Sequence, residues 1–309
     1  MSRTESLTHQ RRTRRATLDN GQPAPNIAVR TGNGIAMLVI SLMVVFPFVS
    51  IVATSIAPRS QVNSNGGLVL WPESVTLQAY VQVLQGGTVG RAMWISVFVT
   101  VVGTTISLAA SAMLAYALSR PGLAGRGGIL WVVLLTLFFA PGIIPSFLAV
   151  KQIGMIDSIW SLILPAALSG FNVIVLRAFF MGIPDELFDA AKIDGANEFR
   201  ILTTIVLPLS RASLSVIGLF YAVGYWNAFF NALIYINDTD KWPLQMIVRS
   251  FVVEDSQFTS VDVQIIEQIA APTSLAMAIL VLSIIPILVV YPFLQKNFAK
   301  GMLTGAVKG

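Results

Sequence analysis

Six apolar stretches, at 35–56, 92–118, 129–150, 158–176, 214–236 and 269–294, constrain this chain before any motif is considered. Each can carry a helix across a hydrocarbon core about 30 Å thick, which takes roughly 20 residues at 1.5 Å each. None shows the ten-residue alternating segments of a membrane β-barrel. The expected fold is an all-α membrane protein with six transmembrane helices. Only 11% of the 309 residues are charged, whereas a soluble domain carries about a quarter. Lipid must therefore be the solvent for most of the surface.

Six spans place both termini on one side. If that side is the cytoplasm, segments 1–34, 119–128, 177–213 and 295–309 face inward and hold 15 of the 20 Lys and Arg residues. The outward segments keep only Arg59, Arg91, Lys151, Lys241 and Arg249. Such a bias in short loops fixes orientation by the positive-inside rule. The net charge of +5 thus reports topology, and no nucleic-acid partner is expected. The run 35–56 is longer than the 7–15 residue core of a signal peptide, so it is read as a retained span. The layout is then a basic tail (1–34), a first helix (35–56), an extracytoplasmic segment (57–91), a core of five helices (92–294) and a cytoplasmic tail (295–309). Within the core lie an inner loop (182–210) and an external loop (237–268).

The spans contain almost no charge. Arg177 lies at the inner end of the fourth, where its side chain reaches the interface. Ion-coupled carriers usually hold their ion on an intramembrane Asp, Glu, His or Lys, so the driving energy is expected to come from outside the membrane. The chain has no G-x-x-x-x-G-K-[ST] phosphate loop. It has no cysteine, and its single histidine, His9, sits in the polar tail. Neither a catalytic constellation nor a metal site is expected, and the chain is not read as an enzyme.

The inner loop holds the best-patterned polar stretch of the second half, "DAAKIDGANEFRILTTIVLP" at 189–208. Pro184 suits the first helical position, and Asp185 and Glu186 suit the positive end of a helix dipole. Asp194-Gly195 should end that helix, because glycine takes the left-handed conformation that other residues avoid. Asn197 can cap a second helix, on which Phe199, Leu202, Ile205 and Val206 recur at helical spacing until Pro208. Two readings stay open on pattern alone: a structured connection between spans, or a docking helix for a cytoplasmic partner.

The stretch resembles the signature of binding-protein-dependent ABC importer permeases, E-A-A-x-x-x-G followed after a longer spacer by I-x-L-P. Here Asp189, Ala190, Ala191 and Gly195 match the first part, with aspartate for the usual glutamate. Ile205, Leu207 and Pro208 match the second, and Leu202 stands where an aromatic is common. "LWPESVTLQAYVQVL" (70–84), "LRAFFMGIPDEL" (176–187), "YWNAFFNALIYIND" (225–238) and "YPFLQKNFAKGMLTGAVKG" (291–309) are similar to carbohydrate permeases of the maltose-transporter, MalG-like type. The resemblance implies a type I importer bundle in a cell membrane, with 182–210 as coupling loop and 189–199 as a coupling helix seated on an ATPase. Its coupling residues would be Asp189, Ala190, Ala191, Asp194, Gly195, Ala196, Phe199, Leu207 and Pro208. It implies a second permease subunit, an ABC ATPase dimer that uses ATP and Mg, and an extracytoplasmic solute-binding protein touching the external loop. This chain itself would bind no cofactor. The alternatives are a permease for amino acids or peptides and, further off, an ion-coupled carrier.

A sugar presents hydroxyls and flat apolar faces, so its path should offer amides or hydroxyls beside aromatic rings. Tyr221, Tyr225, Trp226, Asn227 and Asn231 lie within about three turns of the fifth span, with Tyr221/Tyr225 and Asn227/Asn231 at i,i+4. Asn172 and Ser169 in the fourth span are further candidates. The competing reading is interfacial aromatic anchoring with interhelical asparagine bonds. The series Thr100, Thr104, Ser107 and Ser111 reads as helix packing.

Overall fold

The computed structural model describes residues 27–252 and 270–306, and the side chains of 28–251 and 270–289. The tail before residue 27, with His9 and "RRTRR", lies outside them, as do Glu254, Asp255, Asp262 and Glu267 of the external loop and the side chains of 295–309. Among the described residues there are helices and turns and no strand.

The first run is one helix, α1 (Ile27–Ser55), which exposes Leu38, Met43 and Phe46 as a helix solvated by lipid would. Its last turn is stitched to the following segment. Thr54 Oγ1 accepts from the Val69 amide at 2.9 Å, and the Ser55 hydroxyl meets the Tyr80 hydroxyl at 2.7 Å. That segment carries two short helices, α2 (Arg59–Ser64) and α3 (Gln78–Gln85).

The second run forms α4 (Thr88–Ser119), 32 residues and so about 48 Å long. It buries a seam of small residues, Ser96, Gly103, Ser107, Ser111, Ala112 and Ala115, which lets neighbouring helices come close. At Gly103 the approach is at its limit, since a Cβ there would stand 2.8 Å from the ring of Tyr225.

The third, fourth and fifth runs are not continuous helices as their length suggests. The third splits into α5 (Arg126–Phe138) and α6 (Ile143–Gln152). Pro141 disfavours helical backbone at the residue before it, the C-cap Phe139 is already extended, and Gly142 takes φ +80°. The fourth splits into α7 (Trp160–Ile163), a 3₁₀ turn holding Pro165, and α8 (Gly170–Met181), bent by 51°. The inner loop follows with α9 (Asp185–Ile193), α10 (Glu198–Ile201), a π-helical turn over 202–206 and α11 (Leu207–Leu209). An 87° corner leads into the fifth run, which breaks at Asn227-Ala228 between α12 (Arg211–Trp226) and α13 (Phe229–Tyr235). After α14 (Leu244–Val252), the sixth run lies on α15 (Pro272–Ala306). Three of these helices could each cross a membrane alone, and two more spans arise if each bent pair counts as one. The all-α multi-pass fold stands, while three of its six runs are interrupted.

One core joins α4, α8, α9, α10 and α12 through Leu118, Leu176, Phe180, Phe188, Ile201 and Ile217. A second forms where α3, α14 and α15 meet around Leu244, Ile247 and Ile279. α4 is the axis of the first, packed along both α8 and α12.

Candidate functional site

The inner loop folds into a helical elbow. Pro184 takes the N-cap of α9, one residue earlier than its sequence preference suggests, and Asp185 and Glu186 occupy the first turn. Gly195 sits at φ +76°. Its amide donates to the Lys192 carbonyl at 3.0 Å, and the Ala196 amide donates to the Ala191 carbonyl at 2.9 Å. That pair of bonds is a Schellman stop. Two residues on, Asn197 Oδ1 accepts the Arg200 amide at 2.8 Å and starts α10.

The elbow has two unlike faces. Phe188, Ala191, Ile201, Leu202 and Val206 are buried in the core. Asp189, Ala190, Asp194 and Gly195 are exposed, and Ala196, Leu207 and Pro208 are half-buried. Phe199 is 70% exposed and Ile193 86%, so two large apolar side chains flank the glycine turn with little cover from the described residues. Ile193 lies within the expected coupling helix but was not among its named residues, because the matched pattern leaves that position unspecified.

Contacts to the end of α4 hold the elbow in place. The Arg120 guanidinium lies 3.7 Å from the centroid of the Phe188 ring and 3.8 Å from an Asp185 oxygen. One turn earlier, the Tyr116 hydroxyl donates to Glu198, which also faces Lys192 at 3.9 Å. Arg177 Nε donates to the Leu118 carbonyl at 2.9 Å, satisfying a group that the end of α4 leaves open. Sequence reasoning gave Tyr116 and Glu198 no role and read Arg120 only as a topology charge.

Toward the middle of the bundle, a cavity of about 370 Å³ opens between the α7–α8 break and the α12–α13 break. Asn172, Tyr221, Tyr225 and Asn231 line it with Ser169, Phe171 and Phe220, and no lining side chain is charged. The Phe171 and Phe220 rings are 6.4 Å apart. The two tyrosine hydroxyls complete the broken helix. Tyr225 donates to the Ile163 carbonyl at 3.1 Å and pairs with Ser107 at 2.7 Å. Tyr221 accepts the Ser169 amide at 3.0 Å and pairs with Ser111 at 2.6 Å. Irregular backbone at membrane depth needs such partners.

The other two candidates stand apart. Trp226 turns into the second core and donates from its indole nitrogen to the Ser283 carbonyl at 3.2 Å. Asn227 is exposed, its amide bonded back to the Val223 carbonyl at 2.9 Å. The break that follows it takes Asn227 and Asn231 off a common helix face.

At the far end of α4, Arg91 pairs with Asp240. Asp157, at φ +59°, donates its amide to the Tyr235 carbonyl at 2.9 Å. Its carboxylate accepts the amides of Asn237 at 2.5 Å and Asp238 at 2.9 Å. The backbone amides of Asp238 and Asn237, in that order, hold the Asp157 carboxyl below the usual carboxylate range.

No family model matches the chain. It is 42% identical over 275 residues to the polygalacturonan/rhamnogalacturonan transport system permease protein YtcP of Bacillus subtilis, covering 88% of this chain and 96% of that protein. It is 41% identical to protein LplC of the same bacterium, covering 87% and 91%. To the arabinooligosaccharides transport system permease protein AraQ of Halalkalibacterium halodurans it is 27% identical, covering 87% and 93%. Among solved structures it resembles a bacterial ABC transporter involved in import of the acidic polysaccharide alginate. That match has TM-score 0.82 and 29% identity, covering 90% of this chain and 100% of that one.

Proposed function

The chain belongs to the carbohydrate-type permeases of ABC importers, and we propose that it forms one half of the membrane path for a sugar or oligosaccharide. The observation that carries this reading is the uncharged cavity. Its volume falls within the few hundred Å³ of small-molecule sites, and it sets aromatic faces beside amides and hydroxyls. Asn172 and Asn231 would pair with sugar hydroxyls, and Phe171 and Phe220 would meet apolar ring faces. Tyr221 and Tyr225 would act through their ring faces, since their hydroxyls are already engaged.

The energy would enter at the elbow. Ile193 and Phe199 would seat in a cleft of an ATPase subunit, with Asp189, Ala190, Asp194 and Gly195 around them. ATP and Mg would belong to that ATPase. A second permease would complete the path, and a binding protein would deliver the saccharide at the Arg91–Asp240 end, outside a cell membrane. The elbow and both termini would then be cytoplasmic, as the basic residues indicate.

The test is uptake by the four-part complex in liposomes, using radiolabelled oligosaccharides from pectin, arabinan and starch. Entry that needs ATP, the binding protein and the ATPase together is the expected result. Entry driven by a proton or sodium gradient without the ATPase would refute the reading.

A further inference from the structure

We propose that α4 is the rod that carries movement of the elbow to the cavity, with Tyr116 and Arg120 as the positioning residues that grip the elbow. The inference rests on the reading of the chain as an ATPase-driven permease. Among the described helices that line the route from elbow to cavity, α8 and α12 belong to runs interrupted at the cavity, at Leu164–Ser169 and at Asn227-Ala228. α4 crosses the same depth as one unbroken helix of 32 residues.

The contacts are then distributed to suit a rod. At its end, α4 holds both arms of the elbow. Arg120 covers Phe188 and faces Asp185 on α9, while Tyr116 bonds Glu198 on α10. Phe188 is 2% exposed. A displaced α9 must therefore carry neighbouring atoms with it, because close-packed interiors transmit strain. Beside this grip lies a recess of about 450 Å³ lined by Tyr116, Arg120, Lys192 and Glu198. On that side the Tyr116–Glu198 bond runs along the wall of the recess, beside the core that joins α4 to α9 and α10.

Further along the same helix, Ser111 and Ser107 bond Tyr221 and Tyr225, which line the cavity and hold the α7–α8 break. These serines lie five and nine residues from Tyr116, about 7.5 and 13.5 Å along the axis. The covalent route is less direct. From α10 it passes a π-helical turn and the 87° corner before α12 begins, so a push along α10 reaches α12 sideways.

The chain has no cysteine, so Asn231→Cys places a single thiol in the cavity wall. In the assembled complex, its maleimide labelling rate is compared between the nucleotide-free state and the ATP-vanadate-trapped state. With wild-type Tyr116 and Arg120, the expected change is about tenfold, the size of an ordinary coupling free energy. In the Tyr116→Phe/Arg120→Ala background it falls below about twofold, while the ATPase still copurifies and still hydrolyses ATP. Arg120→Lys, which keeps a cation over Phe188, restores part of the change.

An undiminished change in the double variant would overturn the inference and leave the proposed function intact. Loss of the ATPase from the double variant would make the pair docking or folding residues and would equally overturn it. An otherwise wild-type complex whose cavity thiol ignores nucleotide would bring down both this inference and the reading beneath it.

Discussion

At the elbow, the groups released where α9 ends and α10 begins are satisfied within five residues, by Gly195, Ala196 and Asn197. At the cavity, the groups released where α7 ends and α8 begins are satisfied by Tyr225 and Tyr221, 62 and 52 residues further along the chain. The difference divides the labour. A locally capped elbow keeps its shape when something outside takes hold of it. A break capped from another helix changes whenever that helix moves, so the cavity senses its surroundings.

The largest predicted effect strikes the local cap. Gly195→Val forces a β-branched residue to φ +76°, a strain of roughly 1–3 kcal/mol. Membrane insertion should be normal, judged by fractionation, while ATPase copurification and uptake fall to background. Wild-type uptake would mean that the turn has no mechanical role. Next comes the exposed face. Phe199→Asp touches no core, so the chain should fold normally and bind the ATPase about 10- to 100-fold more weakly in pull-down titration, as loss of a hot spot does.

The long-range caps should fail differently. Tyr225→Phe strips a buried carbonyl of its donor and should cost about 1–3 kcal/mol of stability, read as a lower thermal unfolding midpoint with ATPase binding unchanged. Smaller still is the contrast between two asparagines. Asn231→Ala should lower uptake several-fold with little change in stability, whereas Asn227→Ala should leave uptake near wild type and alter stability by less than about 0.5 kcal/mol, as an exposed residue does. If Asn227 proves the more damaging, the path does not run through this cavity.

The smallest effect belongs to Asp157. Its folded pKa lies below the ordinary value, so its contribution is complete above the unfolded pKa and is lost as pH falls through the folded one. Thermal stability measured from neutral pH down below that carboxylate range should drop slightly less in Asp157→Asn than in the wild type. Identical acid profiles would mean that the clasp on Asn237 and Asp238 contributes nothing.

The same division governs what could be read from the sequence. The elbow was legible because its signals are local: Pro184 at a helix start, Gly195 at a stop, Asn197 at a cap. The breaks were harder. Pro141-Gly142 and Pro165 are visible punctuation, yet they sit in runs whose apolar content alone suggests unbroken spans. Asn227 gives a weaker signal still, since its side chain bonds only to its own helix. The grip on the elbow could not be read at all. Tyr116 and Glu198 are 82 residues apart, and nothing in either neighbourhood names the other. Tyr221 and Tyr225 were found by residue type and spacing, but their service to the α7–α8 break shows only in the fold.

The central claim is that a separate subunit grips the elbow while the Asp157 clasp faces the other side of the membrane. The absence of native cysteine permits one direct measurement, oxidative cross-linking of single-cysteine variants in the assembled complex. Ile193→Cys should cross-link to a cysteine in the docking cleft of the ATPase, and Asn237→Cys should not. Cross-linking from Asn237→Cys with none from Ile193→Cys would contradict the account.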